Sequence, residues 1–254
     1  LQPAGTVEFA YGSPYLLSLG LPTYLTALVW LAGPLSGLLI QPIIGIYSDI
    51  CTSPLGRRRP FLLGGGAIVV VSIVMIAYSK EFAVALAGNG GKTLEITHDL
   101  TIVVAVVGFY LLDFSINAVQ ASCRSLIVDV APMGQQSVAN GWAGTMIGVG
   151  NVLGFFMGYI DLPTLFPLLG STQLKALCTV AILVFSSTVI TTCIATRESR
   201  LPLSNGTRKA WYAPLWEIAA AFRRIPRPVQ TVCNVQGIAW LGWFPYLFYA
   251  TAWI

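Results

Sequence analysis

The chain has 254 residues, of which 56% are hydrophobic and 9% charged, with a formal net charge of +4 and a mean hydropathy of +0.75. Soluble domains carry about 25% charged residues, so the composition excludes an ordinary soluble globule and defines an all-α integral membrane protein. The modest positive charge gives no nucleic-acid-binding character, and five scattered cysteines with a single histidine, His98, argue against a metal cluster.

A membrane span needs about 20 predominantly apolar residues. Seven stretches qualify in chain order. The first, 3–20, is short and interrupted by Glu8 and Pro14. The second, 24–48, carries Gly33, Pro34, Gly37, Pro42 and Gly45, and the third covers 61–79. The fourth, 101–124, is followed by a fifth at 139–160, a sixth at 173–195 and a seventh at 229–254. The chain starts at Leu1 and stops inside an apolar run at Ile254, so it is expected to be a fragment of something longer, with no cleavable leader evident.

Basic residues set the orientation. With a cytoplasmic N-terminus, Arg57, Arg58, Arg59, Arg124, Arg197, Arg200, Arg208, Lys209, Arg223, Arg224 and Arg227 all fall inside; Lys80, Lys92 and Lys175 fall outside. That asymmetry follows the positive-inside rule. It divides the chain into a six-span bundle at 1–196, a cytoplasmic linker at 197–228 and one further span at 229–254. Within the linker, Trp211, Leu215, Trp216, Ile218 and Phe222 alternate with Glu217, Arg223 and Arg224. Residues 212–224 are therefore expected to form a short amphipathic helix at the inner surface, ended by Pro226 and Pro228.

The fourth span carries the most informative pattern. Asp113, Asn117, Gln120 and Arg124 are spaced by 4, 3 and 4 residues, which places them within an arc of roughly 60° over about three helical turns. Charges in hydrocarbon are costly, so this stripe must face protein or a watery cavity. It points to a pathway for a polar solute or a proton, or to a structural polar network between helices. Asn117 and Gln120 can hydrogen-bond hydroxyl groups or orient the carboxylate. Glu8 in the first span, Asn151 in the fifth and Trp243 in the seventh are further candidate solute contacts. The alternatives are a frayed end for Glu8, a helix-packing bond for Asn151, and an interfacial belt for Trp243. Gly144 and Gly148, and separately Gly150, Gly154 and Gly158, follow small-xxx-small spacing, which allows close helix contact.

Between the second and third spans the chain reads Gly45-Ile-Tyr-Ser-Asp49, then Gly56-Arg57-Arg58-Arg59-Pro60. An acidic residue one short loop from an arginine run can pair across two helix ends and gate one side of a membrane protein. Alternatively the arginines serve only as topology anchors.

This Gly-x-x-x-Asp…Gly-Arg-Arg-Arg loop resembles the signature between helices two and three of the major facilitator superfamily. Its extended form, Ser48-Asp49…Cys51-Thr52-Ser53…Gly56-Arg57-Arg58-Arg59-Pro60-Phe61, is similar to the sucrose transporter family among the glycoside–pentoside–hexuronide cation symporters. Leu112-Asp113, Asn117, Gln120, Cys123-Arg124 and Asp129 resemble that family's helix four; Gly150-Asn151-Val152-Leu153-Gly154 resembles helix five; and Trp240, Trp243-Phe244-Pro245 resemble helix seven. The resemblance covers nearly the whole chain and is nearest to fungal members. Ile50 stands where an arginine is common, and the region of Thr23 lacks the histidine that plant members often carry.

The resemblance implies a twelve-helix fold, of which this chain would be the N-terminal bundle plus the seventh helix, with the C-terminal bundle needed for function. It implies symport of sucrose or a related α-glucoside by alternating access, with a proton as coupling ion, no cofactor and no metal. Asp113 takes the proton-coupling role. Asp49, Gly56, Arg57, Arg58, Arg59, Arg124 and Asp129 take gating roles. The membrane is expected to be the plasma membrane rather than the vacuolar one. A sensor or scaffold of the same fold, or a carrier of a monosaccharide or another solute, is the competing reading. An enzyme is not expected: no nucleophile–base–acid set is visible. Gly91-Lys92-Thr93 lacks the first glycine of a phosphate loop, which is Leu86 here, and Gly148-Val-Gly150…Gly154 is one residue too long for a dinucleotide fingerprint. Asn205-Gly-Thr207 is a glycosylation sequon, expected inside and therefore unmodified.

Overall fold

The computed structural model describes residues 12–87, 94–196, 198 and 225–253. The expectations for Glu8 and for a helix at 212–224 lie outside the described residues. The chain divides into two compact units, Leu1–Leu201 and Pro202–Ile254. In the first unit the helices are α1 (12–18), α2 (Thr23–Trp30), α3 (Ala32–Asp49), α4 (Arg59–Ala77), α5 (Ser79–Ala87), α6 (Leu94–Val130), α7 (Gln136–Tyr159), the short α8 (Leu162–Leu165) and α9 (Gln173–Ala195). In the second unit α10 covers Arg227–Trp253. The described residues contain no strand.

Four helical stretches are long and apolar enough to cross a membrane: Leu28–Asp49, Arg59–Ala77, Ile96–Val130 and Gln173–Ala195. The third and sixth expected spans correspond to α4 and α9, because long apolar runs leave the backbone no alternative to helix in hydrocarbon. Pro60 sits in the first turn of α4, where its missing N–H costs nothing. Thr172 caps α9 by accepting a hydrogen bond from the Lys175 N–H.

Three boundaries differ from the sequence expectation. The second span is not one helix but two, separated at Leu31; Pro34 has no N–H for the carbonyl of Trp30, so the ladder is interrupted there. The third span ends at Ala77, and after Tyr78 (φ −116°, ψ 26°) the chain continues as α5. The Tyr15 hydroxyl donates to the Ile76 carbonyl at that corner (3.4 Å) and bonds Ser79. The fourth span is the middle of α6, which has 37 residues, about 55 Å at 1.5 Å per residue. That exceeds the roughly 30 Å hydrocarbon thickness, so both ends of α6 reach beyond it.

The core is built around α6. Ala105, Phe109, Leu112, Ile116 and Val119 of α6 pack with Leu62, Val69, Ile73 and Ile76 of α4, Leu16 of α1, and Cys178, Phe185 and Val189 of α9. Helix α6 also packs along α3 and α5. Two glycines make the α4–α6 approach possible. A Cβ on Gly65 would lie 2.8 Å from a Val119 methyl, and one on Gly108 would lie 2.9 Å from Ile76. Helix α7 has no buried residue, and Gly141, Gly144 and Gly148 face open space, so these three glycines form no packing seam within this unit. Leu38, Val71, Val103, Val152 and Leu183 are exposed, as expected of helices whose outer solvent is lipid.

Candidate functional site

The polar stripe of α6 is met by a matching face of α3. Asn117 is the centre of the contact. Its amide nitrogen donates to Ser36 Oγ (2.6 Å) and to the Asp113 carbonyl (3.0 Å), and its amide oxygen accepts from Gln41 Nε2 (2.6 Å). Gly33 and Gly37 lie against the same stripe: a Cβ on each would stand 3.7 Å from Asp113 Oδ1 and 3.8 Å from Asn117 Oδ1. A methyl group at either position would therefore touch the carboxylate or the amide at ordinary van der Waals distance, which shows that this face of α3 runs along the stripe. Ser36 and Gln41 were not singled out from the sequence. Gly33, Ser36, Gly37 and Gln41 nevertheless recur at i, i+3, i+4 and i+8, the spacing of one helix face, and that was the available signal.

The lower half of the stripe faces elsewhere. Gln120 and Arg124 line a cavity of about 510 Å³ with Cys123, Ala143, Met146 and Thr192, between α6, α7 and α9. An adjoining cavity of about 590 Å³ is apolar and shares Cys123, Met146 and Thr192. Asn151 is half-buried on α7. Trp243 belongs to the second unit, where it flanks a hollow on α10 with Gln236, Ala239 and Trp240.

At the end of the bundle where α3 and α6 finish and α4 begins, the arginine loop forms a charge cluster. The Arg58 side chain is 6% exposed. Its Nε donates to Asp129 Oδ2 (2.8 Å), Nη1 to the Gly45 carbonyl (3.3 Å) and to Ser48 Oγ, and Nη2 to Asp49. Arg57 Nη2 lies 3.3 Å from the same Asp129 oxygen. Burial opposes the Arg58 charge, but its hydrogen bonds to Asp129 and Asp49 outweigh it and hold the guanidinium above its ordinary value. One arginine thus ties the last turns of α3 and α6 to the first turn of α4. Arg59 takes no part in this pairing, and its buried Nε has no hydrogen-bond partner among the described residues. Arg124 makes no ion pair among the described residues.

A residue that sequence reasoning missed joins the same cluster. Glu198 Oε2 accepts the backbone N–H of Arg58 (3.0 Å) from 140 residues away, and Gly56 (φ +116°) leaves space for its carboxylate. At the opposite end of the bundle Lys175 pairs with Glu81, and its ammonium lies 4.8 Å from the centre of the Tyr78 ring. The described residues contain no group of side chains that could hold a metal ion.

Helices whose apolar faces look outward, an intramembrane carboxylate braced between two of them, and a charge lock at one end are the features of a multi-pass membrane transport protein. Comparison with known proteins places it further. The profile described as MFS/sugar transport protein matches residues 7–226, and the chain belongs to that family. It is 41% identical, over its whole length, to the general alpha-glucoside permease of Schizosaccharomyces pombe, covering 46% of that protein. It is 34% identical over 99% of its length to sucrose transport protein SUT3 of Oryza sativa subsp. indica, covering 53% of it. It is 32% identical over its whole length to sucrose transport protein SUC4 of Arabidopsis thaliana, covering 52%. The chain spans about half the length of the curated relatives it matches.

Proposed function

We propose that this chain forms the first bundle and the seventh helix of a proton-coupled carrier for sucrose or a related α-glucoside disaccharide. On this reading residues 1–196 are the bundle, 197–228 the cytoplasmic linker and 229–254 the start of a second bundle required for transport. The observation that carries the proposal is the pairing of the α6 stripe with α3. Asp113 is an ionisable group inside a membrane-spanning helix, set against glycines of α3 and beside a fully engaged Asn117. A scaffold has no need to keep such a group in hydrocarbon. The names of the relatives, an alpha-glucoside permease and sucrose transport proteins, supply the solute class.

The mechanism follows from the two clusters. Asp113 takes a proton from the outer side, and the sugar binds between the bundles with Gln120 and Asn151 as candidate hydrogen-bonding partners. Asn117 spends its amide on Ser36 and Gln41, so it acts chiefly by holding α3 against α6. The lock formed by Asp49, Arg57, Arg58 and Asp129 closes the cytoplasmic side. Its opening lets the bundles rock, and release of the proton inward favours release of the sugar. The gradient supplies about 2.3 kcal/mol per charge per 100 mV. The plasma membrane is the proposed location, with the N-terminus cytoplasmic.

The test is uptake of labelled sucrose and maltose by yeast without carriers of its own, expressing the complete protein, at low and neutral external pH and with an uncoupler. Uphill uptake that collapses with the gradient is expected. Asp113→Asn should abolish accumulation while leaving exchange measurable. Accumulation unchanged in that variant would remove Asp113 from the coupling role.

A further inference from the structure

We propose that Glu198 is a positioning residue of the arginine lock: a carboxylate just beyond α9 that fixes the backbone of Arg58 and so ties the end of α9 to the gate. Three observations support this. The first turn of α4 has no side-chain cap from the residue that precedes it, Arg58. Glu198 Oε2 fills that role from a distance by accepting the Arg58 N–H at 3.0 Å, where a negative charge also suits the positive end of the helix.

Gly56 is shaped around the same carboxylate. Its φ of +116° is a conformation that side chains rarely adopt, and a Cβ there would lie 2.1 Å from Glu198 Oε2 and 3.0 Å from its Cβ and Cδ. Gly56 and Glu198 are therefore one device: the turn before the arginines is bare because the carboxylate occupies the space. The third observation concerns what is left unpaired. Glu198 Oε1 and Arg59 Nε are both buried without a hydrogen-bond partner among the described residues. Buried groups left unsatisfied cost stability, so a second arrangement of this corner has bonding capacity to use.

The consequence is geometric. The Arg58 guanidinium reaches Asp49 and Asp129 from a backbone that Glu198 helps to fix, so loss of the Glu198 hydrogen bond loosens the lock. For its effect on solute flux the proposal rests on the carrier reading; the accessibility experiment below does not.

The experiment uses the complete protein with Cys123 as its sole cysteine. Cys123 lines both cavities beside α7, so its labelling by a membrane-impermeant thiol reagent, added to each face in turn, reports opening at the arginine end. Glu198→Ala is expected to speed labelling from that face about tenfold, the effect of losing one charge-assisted hydrogen bond on an opening equilibrium. Glu198→Gln keeps an oxygen for the Arg58 N–H and is expected to restore labelling to within about twofold of the parent. The proposal is overturned by parental labelling in Glu198→Ala, or by Gln rescuing no better than Ala. If Glu198→Ala fails to reach the membrane, Glu198→Asp replaces it. That variant keeps the charge but is one methylene short of the N–H, and equal labelling of the Asp and Gln variants overturns the proposal. Failure of sugar uptake in the parent would sink the carrier reading and leave the labelling result intact.

Discussion

Arg58 and Arg57 are neighbours of the same charge with different duties. The Arg58 side chain is 6% exposed and its three nitrogens reach Asp129, Gly45, Ser48 and Asp49. The Arg57 side chain is 25% exposed and shares one oxygen of Asp129. A lysine ammonium is a point donor on a flexible stem and cannot reproduce the planar fork. Arg58→Lys is therefore expected to lower stability by about 2–3 kcal/mol, less than the full loss of a buried pair because the Asp49 side is open to solvent. Arg57→Lys should change it by less than about 1 kcal/mol. Thermal unfolding of the two variants in detergent decides the point; equal shifts would mean that burial does not distinguish them. From the sequence the three arginines were equivalent members of a motif. What separates them is which one points inward between α3 and α6, and this depends on contacts with Ser48 and Asp129 that the loop sequence does not contain. Glu198 was still less legible, since in sequence it is one acidic residue at the edge of a basic linker.

At the level of helices, long apolar runs made α4 and α9 readable, because chain length in hydrocarbon decides them with little help from neighbours. The break at Leu31 and the added helix α5 were not readable, since a proline's effect depends on which carbonyl it orphans and the chain turns at Tyr78 where Tyr15, distant in sequence, bonds the Ile76 carbonyl and Ser79. The crossing of α4 and α6 gives a sharp contrast between adjacent glycines. A methyl on Gly65 would stand 2.8 Å from Val119, whereas one on Gly64 meets nothing within 4 Å. Gly65→Ala is expected to cost about 1–3 kcal/mol by overpacking. Gly64→Ala should be neutral or stabilising by up to about 1 kcal/mol through helix propensity. Unfolding midpoints of the pair check this, and equal effects would mean that the helices do not approach as described.

The brace between α5 and α9 gives a pH dependence with a definite sign. The hydrogen bond from Lys175 holds the Glu81 carboxyl below its ordinary 4.5. A depressed folded-state value means that the pair's contribution is fully present above 4.5 and fades as pH falls through the lower, folded-state value. The difference in unfolding midpoint between the parent and Glu81→Gln should thus be constant in the neutral range and vanish in stronger acid. A difference that persists unchanged in strong acid would show that the ion pair is not its source.

For the molecule as a whole, the two charge systems sit at opposite ends of α4: the arginine lock at its start and the Lys175–Glu81 brace beyond its finish. If the positive-inside rule governs the chain, the lock is cytoplasmic and the brace faces outward. Two sequence markers then test the orientation. Cys51 follows Asp49 in the arginine loop and is half-buried there, and Asn205-Gly-Thr207 lies in the segment after α9. In sealed vesicles with Cys51 as the sole cysteine, an impermeant thiol reagent should label it only in the inside-out preparation, and the protein should carry no glycan at Asn205. Labelling from outside, or a glycan removed by Asn205→Gln, would invert the molecule in the membrane. It would place the lock at the outer mouth, and on the carrier reading proposed above the proton and sugar would then have to enter past Arg58 rather than leave by it.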